Sequence, residues 1–421
     1  MIKKYFPFIF LLIATAAFSQ KILFDATKVE MAGSADWVID ADVHNLYTNN
    51  ALNIGGAESN PQRYPLPLQS AAITLLTPET YWTGALSYWA LDCVRQGYTL
   101  ESLPWNGRIT YGDATNAQDL SNYKVYVVDE PNIEFSLSEK NAIVNFVKNG
   151  GGLMMISDHY GSDRNNDGKE SLVIWNELMI NNTVQINPFG ISFDALADVS
   201  QTSNNVANLS TNQILHGPSL PITCSICGNV TAAKWSRGTT MTLNPSVNSS
   251  VTGLIFKTGS STTGTTNVMC ASATYLAGRV VAIGDSSIAD DGSGDPSDVL
   301  YDGYITDAGG NHQKLLMNAI VWLMNSTMKT NDFETSQPSL TIAPNPIANK
   351  ELKVYIKNTS SLVSELTIYD ATGRQVKQVQ LSENPSAEFQ IINCEELQSG
   401  IYFGRLQTDS FSKSIPFSIL N

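Results

Sequence analysis

Two hydrophobic patterns divide the chain. As far as about residue 325, short all-apolar runs alternate with stretches of helical spacing. Val125-Tyr126-Val127-Val128, Leu153-Met154-Met155-Ile156 and, within the run at 279–283, Val280-Val281-Ala282-Ile283 are of the first kind. Four or five apolar residues bounded by turn residues predict strands buried on both faces. Between 83 and 96, Leu86, Trp89, Ala90, Cys93 and Val94 fall at helical spacing, and Gly97 stops the helix. Ser136 and Glu139 form a capping box, opening a helix that presents Ala142, Ile143, Phe146 and Val147 and ends at Gly150-Gly151-Gly152. A last helix, 312–324, carries Leu315, Leu316, Ala319, Ile320 and Leu323 on one face. Strand, helix and strand joined by tight glycine turns predict a mostly parallel sheet flanked by helices. Residues 183–275, rich in Thr, Ser, Asn and Gly, predict an antiparallel elaboration of that sheet.

Beyond a polar stretch at 329–339 the period changes to two. Leu352, Val354 and Ile356 alternate with Lys353, Tyr355 and Lys357, and Ala387, Phe389 and Ile391 alternate likewise. Short alternating strands over about 80 residues predict a small all-β sandwich. At the other end, Lys3 and Lys4 precede an apolar run, 6–18, that is short for a membrane span, and Ala17 and Ser19 suit cleavage after Ser19. The expected organisation is therefore a signal peptide at 1–19, an α/β domain at 20–328, a linker at 329–339 and a β-sandwich at 340–421. No transmembrane segment is expected after signal removal.

The formal charge is −14, and loss of the two signal lysines makes it −16. Such a surface repels phosphate backbones, which excludes nucleic acid as a partner and favours cations. Five cysteines cannot frame a fold of this size. Cys224 and Cys227 are either a small disulfide or two thiols, and no second CxxC or histidine pair makes a structural zinc site.

The tail resembles the type A C-terminal sorting domain of type IX secretion cargo. The residues that carry the likeness are Pro344-Asn345-Pro346, Leu366-Thr367-Ile368-Tyr369-Asp370 with Thr372-Gly373-Arg374, and Leu397-Gln398-Ser399-Gly400-Ile401-Tyr402-Phe403. The resemblance implies export by way of the periplasm, engagement of the type IX machinery through 340–421, and release or attachment at the outer surface. The large domain resembles the class I glutamine-amidotransferase-like fold. The helix at 138–149, its triple glycine, the strand at 153–156, the late Gly278-Arg279-Val280-Val281 strand and the closing helix carry that likeness. It departs in chemistry, because no cysteine follows a parallel strand in a Gly-x-Cys-x-Gly elbow, so glutaminase activity is disfavoured. A serine elbow is absent too.

What the strand ends carry instead is acid. Ligands of open parallel sheets bind beyond the carboxyl ends of the strands. Those ends hold Asp25 and Glu30, Asp129 and Glu130, Asp158 and His159, then Asp285, Asp290 and Asp291. Carboxylates brought together need a proton or a cation, so calcium or another divalent cation is the expected cofactor. Asp163, Asn165, Asp167 and Gly168 match the first half of a calcium loop, and Asp290-Asp291-Gly292 is a second acidic loop. These observations place catalysis on Asp158, His159 and Asp285, metal ligation on Asp163, Asn165, Asp167, Asp290 and Asp291, and substrate contact on Asp25, Glu30, Glu130 and His216. Two readings remain open. One is an extracellular, metal-dependent hydrolase of a glycan or ester; the other is a non-catalytic, calcium-stabilised surface-binding or adhesion protein.

Overall fold

The apolar runs of the first 325 residues form one sheet, and the order of its strands sets where acid collects. In the computed structural model the described residues are 20–30, 35–40, 47–48, 51–52, 73–78, 81–220, 222–294, 298–299, 301–325 and, from 339 to 420, all but 344, 348–349, 358–363, 382–389 and 408–411. The signal segment, His44 and residues 329–338 of the linker lie outside the described residues. The chain divides into two compact units, 1–328 and 329–421.

Apart from a short pair at Tyr47–Thr48 and Ala51–Leu52, the described strands of the large unit are β1 (Lys21–Asp25), β2 (Thr99–Leu103), β3 (Val125–Asp129), β4 (Gly152–Ile156), β5 (Ile191–Phe193), β6 (Val199–Ser203), β7 (Ala233–Gly238), β8 (Met241–Leu243), β9 (Thr252–Phe256), β10 (Val268–Tyr275) and β11 (Gly278–Ile283). The nine-stranded sheet runs β2-β1-β3-β4-β11-β10-β8-β5, with β9 also paired to β10, while β6 and β7 pair separately. From β2 to β11 every pairing is parallel, and from β11 to β5 every pairing is antiparallel. The polar middle third is thus the antiparallel half of a mixed sheet. Every residue of β3 and β4 is buried, which is why both read as unbroken apolar runs rather than alternating ones.

Helices α1 (Ser87–Arg95), α2 (Leu137–Lys148), α3 (Ser171–Ile180), α4 (Gln213–His216) and α5 (His312–Met324) complete the unit. The capping box of α2 forms as its sequence demands, with Ser136 and Glu139 each bonding the other's backbone. The first helix starts four residues later than its apolar spacing predicts. The amides of Ala85 and Leu86 are taken by the carbonyls of Asp36 and Val38, which holds that turn out of the helix. In helix α3, Leu172, Trp175, Leu178 and Met179 fall at helical spacing and are buried, while Val173 and Ile180 remain partly or largely exposed. Its Trp175 is fully buried and donates from Nε1 to the Ile156 carbonyl at 2.8 Å. Trp82 and Trp89 are also core residues.

The end of α2 lies against the start of β11 so closely that a Cβ on Gly278 would meet the Val147 carbonyl oxygen at 1.9 Å. Neither partner is a flexible side-chain tip, so the backbone itself must move. Gly278→Ala is expected to cost at least about 2 kcal/mol, read as a fall of several degrees in thermal midpoint; an unchanged midpoint would show that this junction is soft.

The second unit consists of β12 (Ser339–Ala343), β13 (Glu351–Lys357), β14 (Ser364–Asp370), β15 (Gln375–Leu381), β16 (Gln390–Asn393), β17 (Gly400–Gln407) and β18 (Ser412–Ile419). They make a three-stranded sheet, β12-β13-β16, and a four-stranded one, β15-β14-β17-β18, all antiparallel. Leu352, Val354 and Ile392 from one sheet and Leu366, Ile368 and Phe417 from the other share one core. The Asp370 carboxylate folds its hairpin by accepting the amides of Thr372 and Arg374 at 2.9 and 3.1 Å, and Gly373 takes the positive φ of 82° that the turn requires.

Candidate functional site

Strand β1 pairs with β2 on one side and β3 on the other, so the chain reverses its direction of winding between β1 and β3. That boundary is a topological switch point, with a crevice beyond the strand ends. The carboxyl ends of β3, β4 and β11 lie side by side, since Asp129 is in register with Ile156 and Ile156 with Ile283. Neighbouring strands are about 4.8 Å apart, so the acids that follow these strands converge.

Asp129, Glu130, Asp158 and Asp285 are all buried, none more than 3% exposed. Glu130 adopts φ 47°, an uncommon conformation for a residue with a side chain, which turns the chain sharply at the strand end. Its carboxylate accepts Arg164 Nε at 2.7 Å and the Ser286 hydroxyl at 2.9 Å. Arg164 Nη2 reaches on to Asp158 Oδ2 at 3.0 Å. One guanidinium therefore bridges two buried carboxylates, and their charges hold it firmly protonated. Asp285 caps the turn 286–288 by accepting the Ser287 amide at 2.9 Å, and it also accepts the Ser236 amide. Burial nonetheless pushes Asp285 up to about 7. Asp158 is raised well above the carboxylate range by burial first, then by Glu130 and Asp285, against the pull of Arg164. Asp129 is raised likewise by burial, then by Glu130, Asp285 and Asp290.

Two features of this group are uncompensated. Neither carboxyl oxygen of Asp129 has a hydrogen-bond partner, and Oδ1 of Asp158 has none. Buried polar groups are nearly always satisfied, and each exception costs about 1–3 kcal/mol. His159 lies beside them, with Nδ1 donating to the Tyr160 carbonyl at 2.6 Å. That bond places the neutral ring's lone pair on Nε2, which is 4.0 Å from Asp158 Oδ2, too far for a hydrogen bond.

The remaining expected site residues are distributed differently. Asp25, the last residue of β1, and Glu30 beyond it form a second buried pair in which burial and then the Asp25 charge push Glu30 well up. Thr27 donates to Asp25 at 3.0 Å and the Lys28 amide to Glu30 at 2.9 Å. His216 is exposed and lines a separate pocket with Cys224 and Cys227, one to which no strand-end acid contributes.

The calcium-loop match also changes meaning in three dimensions. Asp163 accepts the amides of Asp167 and Gly168 at 3.1 and 2.8 Å, Asp167 accepts that of Lys169 at 2.9 Å, and Asn165 Oδ1 accepts that of Asp167 at 3.3 Å. These side chains fold the loop through its own backbone, and the folded loop delivers Arg164. In the second acidic loop, Asp290 accepts the amides of Gly292 and Tyr301 at 2.8 and 2.6 Å. Burial pushes it up to about 8. Asp291 accepts the Tyr88 amide in the first turn of α1 at 2.6 Å, acting as a remote helix cap. Among the described residues no three His, Cys, Asp or Glu side chains are arranged to hold a metal ion.

Sequence reasoning missed Arg164 as the group that organises the acids. The only local signal is a basic residue inside an otherwise acidic, Asn-rich loop. His312, at the start of a helix, reads as a capping or surface residue, yet it is buried. Its Nδ1 donates to the Gly303 carbonyl at 2.9 Å and its Nε2 accepts the Lys234 amide at 3.0 Å. Cys93, Cys270 and Cys394 are buried and unpaired, and burial raises all three thiols.

Residues 341–417 match the family described as the secretion system C-terminal sorting domain. The chain is accordingly a cargo of the type IX secretion system, addressed to the cell surface or exterior. Among the described residues no helix is long and apolar enough to cross a membrane. No curated protein sequence matches the chain. Three solved structures show limited likeness. The N-terminal domain of mmIFT52 is 13% identical over 73% of this chain and 98% of its own, with a TM-score of 0.38. A ThuA-like protein from Parabacteroides merdae is 11% identical over 74% of this chain and 92% of its own, at 0.31. PorZ, a surface component of the type IX secretion system of Porphyromonas gingivalis, is 17% identical over 23% of this chain and 13% of its own, at 0.17. Such scores do not establish the amidotransferase-like class; the architecture itself is α/β with a mixed, largely parallel sheet.

Proposed function

We propose that the large unit is an extracellular hydrolase of a glycan or ester whose acid–base centre is the strand-end carboxyl cluster. The observation that carries this reading is Asp129, a buried carboxyl with neither oxygen partnered, which shares the neighbours Glu130 and Asp285 with Asp158, itself with one oxygen open. A fold keeps such a defect where function requires it, because carboxyls with perturbed protonation collect at reactive sites. Asp285, poised near neutrality, is suited to exchange a proton with substrate or water. Asp158, oriented by Arg164, is the second carboxyl of the pair, and unequal environments give the two separate acid and base roles. His159 Nε2 faces the same group. Calcium or another hard divalent cation is the alternative counter-charge, since the open oxygens of Asp129 and Asp158 are of the type such ions take. The resemblance of the large unit to class I glutamine-amidotransferase-like proteins is consistent with a site beyond these strand ends, although their cysteine chemistry is absent.

The test is metal analysis of the secreted protein followed by a panel of glycan and ester substrates. Asp158→Asn and Asp285→Asn are each expected to lower kcat about 100-fold or more while the protein stays folded. Turnover that survives both substitutions removes the cluster from the mechanism. One observation favours the second reading, a surface-binding protein: no carboxyl of the cluster exceeds 3% exposure. Saturable glycan binding without turnover, unchanged by Asp158→Asn, would establish it.

A further inference from the structure

Away from the acidic cluster, a pocket of about 290 Å³ is lined by His216, Pro218, Ile222, Thr223 and the bonded pair Cys224–Cys227. Both cysteines are half-buried and His216 is exposed. The other three cysteines are sealed in the core, so these two are the cysteines among the described residues that are not fully buried. Its separation of three residues means that it closes a very short loop and removes little chain entropy from the unfolded state. The surrounding backbone is secured by other means. Asn318, buried in α5, donates to the carbonyls of Gly228 and Ile214 at 2.7 and 2.9 Å and accepts the Gly228 amide at 3.1 Å. The Val230 amide donates to the Leu215 carbonyl at 2.8 Å, and Gln96 donates to the Thr223 carbonyl. A bond that the local fold does not need, placed in a pocket open to small molecules, has a chemical rather than a structural logic. His216 Nδ1 faces Asn229 Oδ1 at 3.2 Å; with the proton on that nitrogen, Nε2 is left as the basic one.

We propose that Cys224–Cys227 is a thiol–disulfide exchange site for a low-molecular-weight thiol, with His216 as its proton carrier. The thiol RSH loses its proton to His216 Nε2, and the resulting thiolate attacks one of the two sulfurs. An RS–Sγ bond forms, the Sγ–Sγ bond breaks, and the displaced cysteine leaves as a thiolate that takes the proton back. A second thiolate attacks the R-side sulfur of the mixed disulfide and releases RSSR and the other cysteine. Two RSH are oxidised and one cystine is reduced to two thiols. The size of the pocket fits a small thiol better than a folded protein partner.

The experiment treats the purified secreted protein with reduced glutathione at pH 7, then quenches, alkylates and measures the Cys224–Cys227 peptide by mass spectrometry. Complete labelling of both cysteines is expected with an unchanged circular dichroism spectrum and thermal midpoint. His216→Gln is expected to slow the reaction about 10-fold, within the usual range for loss of a proton-transfer group, and to react like the parent at pH 9, where the thiol ionises unaided. Labelling that appears only in denaturant, or reduction that unfolds the protein, makes the bond a staple and overturns the proposal. Reduction by a protein dithiol but not by glutathione overturns the small-thiol assignment. An unchanged rate in His216→Gln removes the histidine. A Cys224→Ser, Cys227→Ser double variant with the parent's spectrum and midpoint confirms that the fold does not depend on the bond; loss of fold in it counts against the proposal.

Discussion

Asp129→Asn is expected to raise the thermal midpoint at pH 8, by a few degrees, and to leave it nearly unchanged at pH 4. The cause is proton linkage. Burial, Glu130, Asp285 and Asp290 hold the Asp129 carboxyl well above its ordinary range, so the folded protein keeps a proton that the unfolded chain releases near pH 4. A raised carboxyl is therefore neutral in its effect below the unfolded value and costs stability as the pH rises through the window between the two. Asp285, raised to about 7, and Asp290, raised to about 8, act with the same sign. Each such group costs about 1.4 kcal/mol per pH unit within its window. The parent is accordingly expected to lose stability from about pH 5 to pH 8, and Asp129→Asn should remove one group's share of that slope. Carboxyls held low act with the opposite sign. Glu134, held at about 2 chiefly by its hydrogen bond from Lys169, withdraws its support only as the pH falls below the ordinary carboxylate range. Thermal midpoints of parent and variant from pH 4 to 9, with and without a chelator, provide the measurement. A variant less stable than the parent at pH 8 would mean that Asp129 is ionised and balanced by a bound cation, and a chelator should then destabilise the parent alone.

Removing Arg164 should have the larger and opposite effect. Its guanidinium is the counter-charge for Glu130, at 0% exposure, and also bonds Asp158, at 2%. Breaking a buried ion pair from one side strands the remaining charge and costs about 3–5 kcal/mol. Arg164→Ala is expected to lower the midpoint by roughly 10 °C, the scale set by that loss in a unit of this size. Lysine offers one ammonium where a planar fork now spans two acids, so Arg164→Lys should recover only part. Adding Glu130→Gln to Arg164→Ala should restore stability, because the stranded charge is gone. If Arg164→Ala melts with the parent, the bridge is not the element that balances the cluster.

Much of the architecture was legible because it rests on local patterns. The all-apolar runs of β3, β4 and β11 announced doubly covered strands, the capping box announced α2, and the alternating tail announced antiparallel sheets. The likeness of 340–421 to a sorting domain rests on short turn and strand motifs that lie within one small unit. Helix α3 carries an apolar stripe through Trp175, but no side-chain cap bond marks its start. The site was legible only as composition. Acids at strand ends were visible in the sequence, but which of them ionise was not, since that depends on burial and on partners far away in the chain.

The loop at 163–168 marks the boundary. Its spacing of Asp and Asn is a property of the sequence, and that spacing alone is compatible with a cation or with a turn folded on its own amides. In the tertiary structure the carboxylates of Asp163 and Asp167 meet backbone N–H groups within their own loop. That structure also decides that Arg164, an unremarked member of that loop, enters the acidic cluster 34 residues from Glu130 in sequence. By itself the sequence determined the destination of the protein, the apolar strands and three of the helices of the large unit, and the acidity of one end of the sheet. The strand order determined which acids meet, and burial determined their protonation: a carboxyl's charge is set by the water it has lost and the charges beside it, and neither is encoded locally.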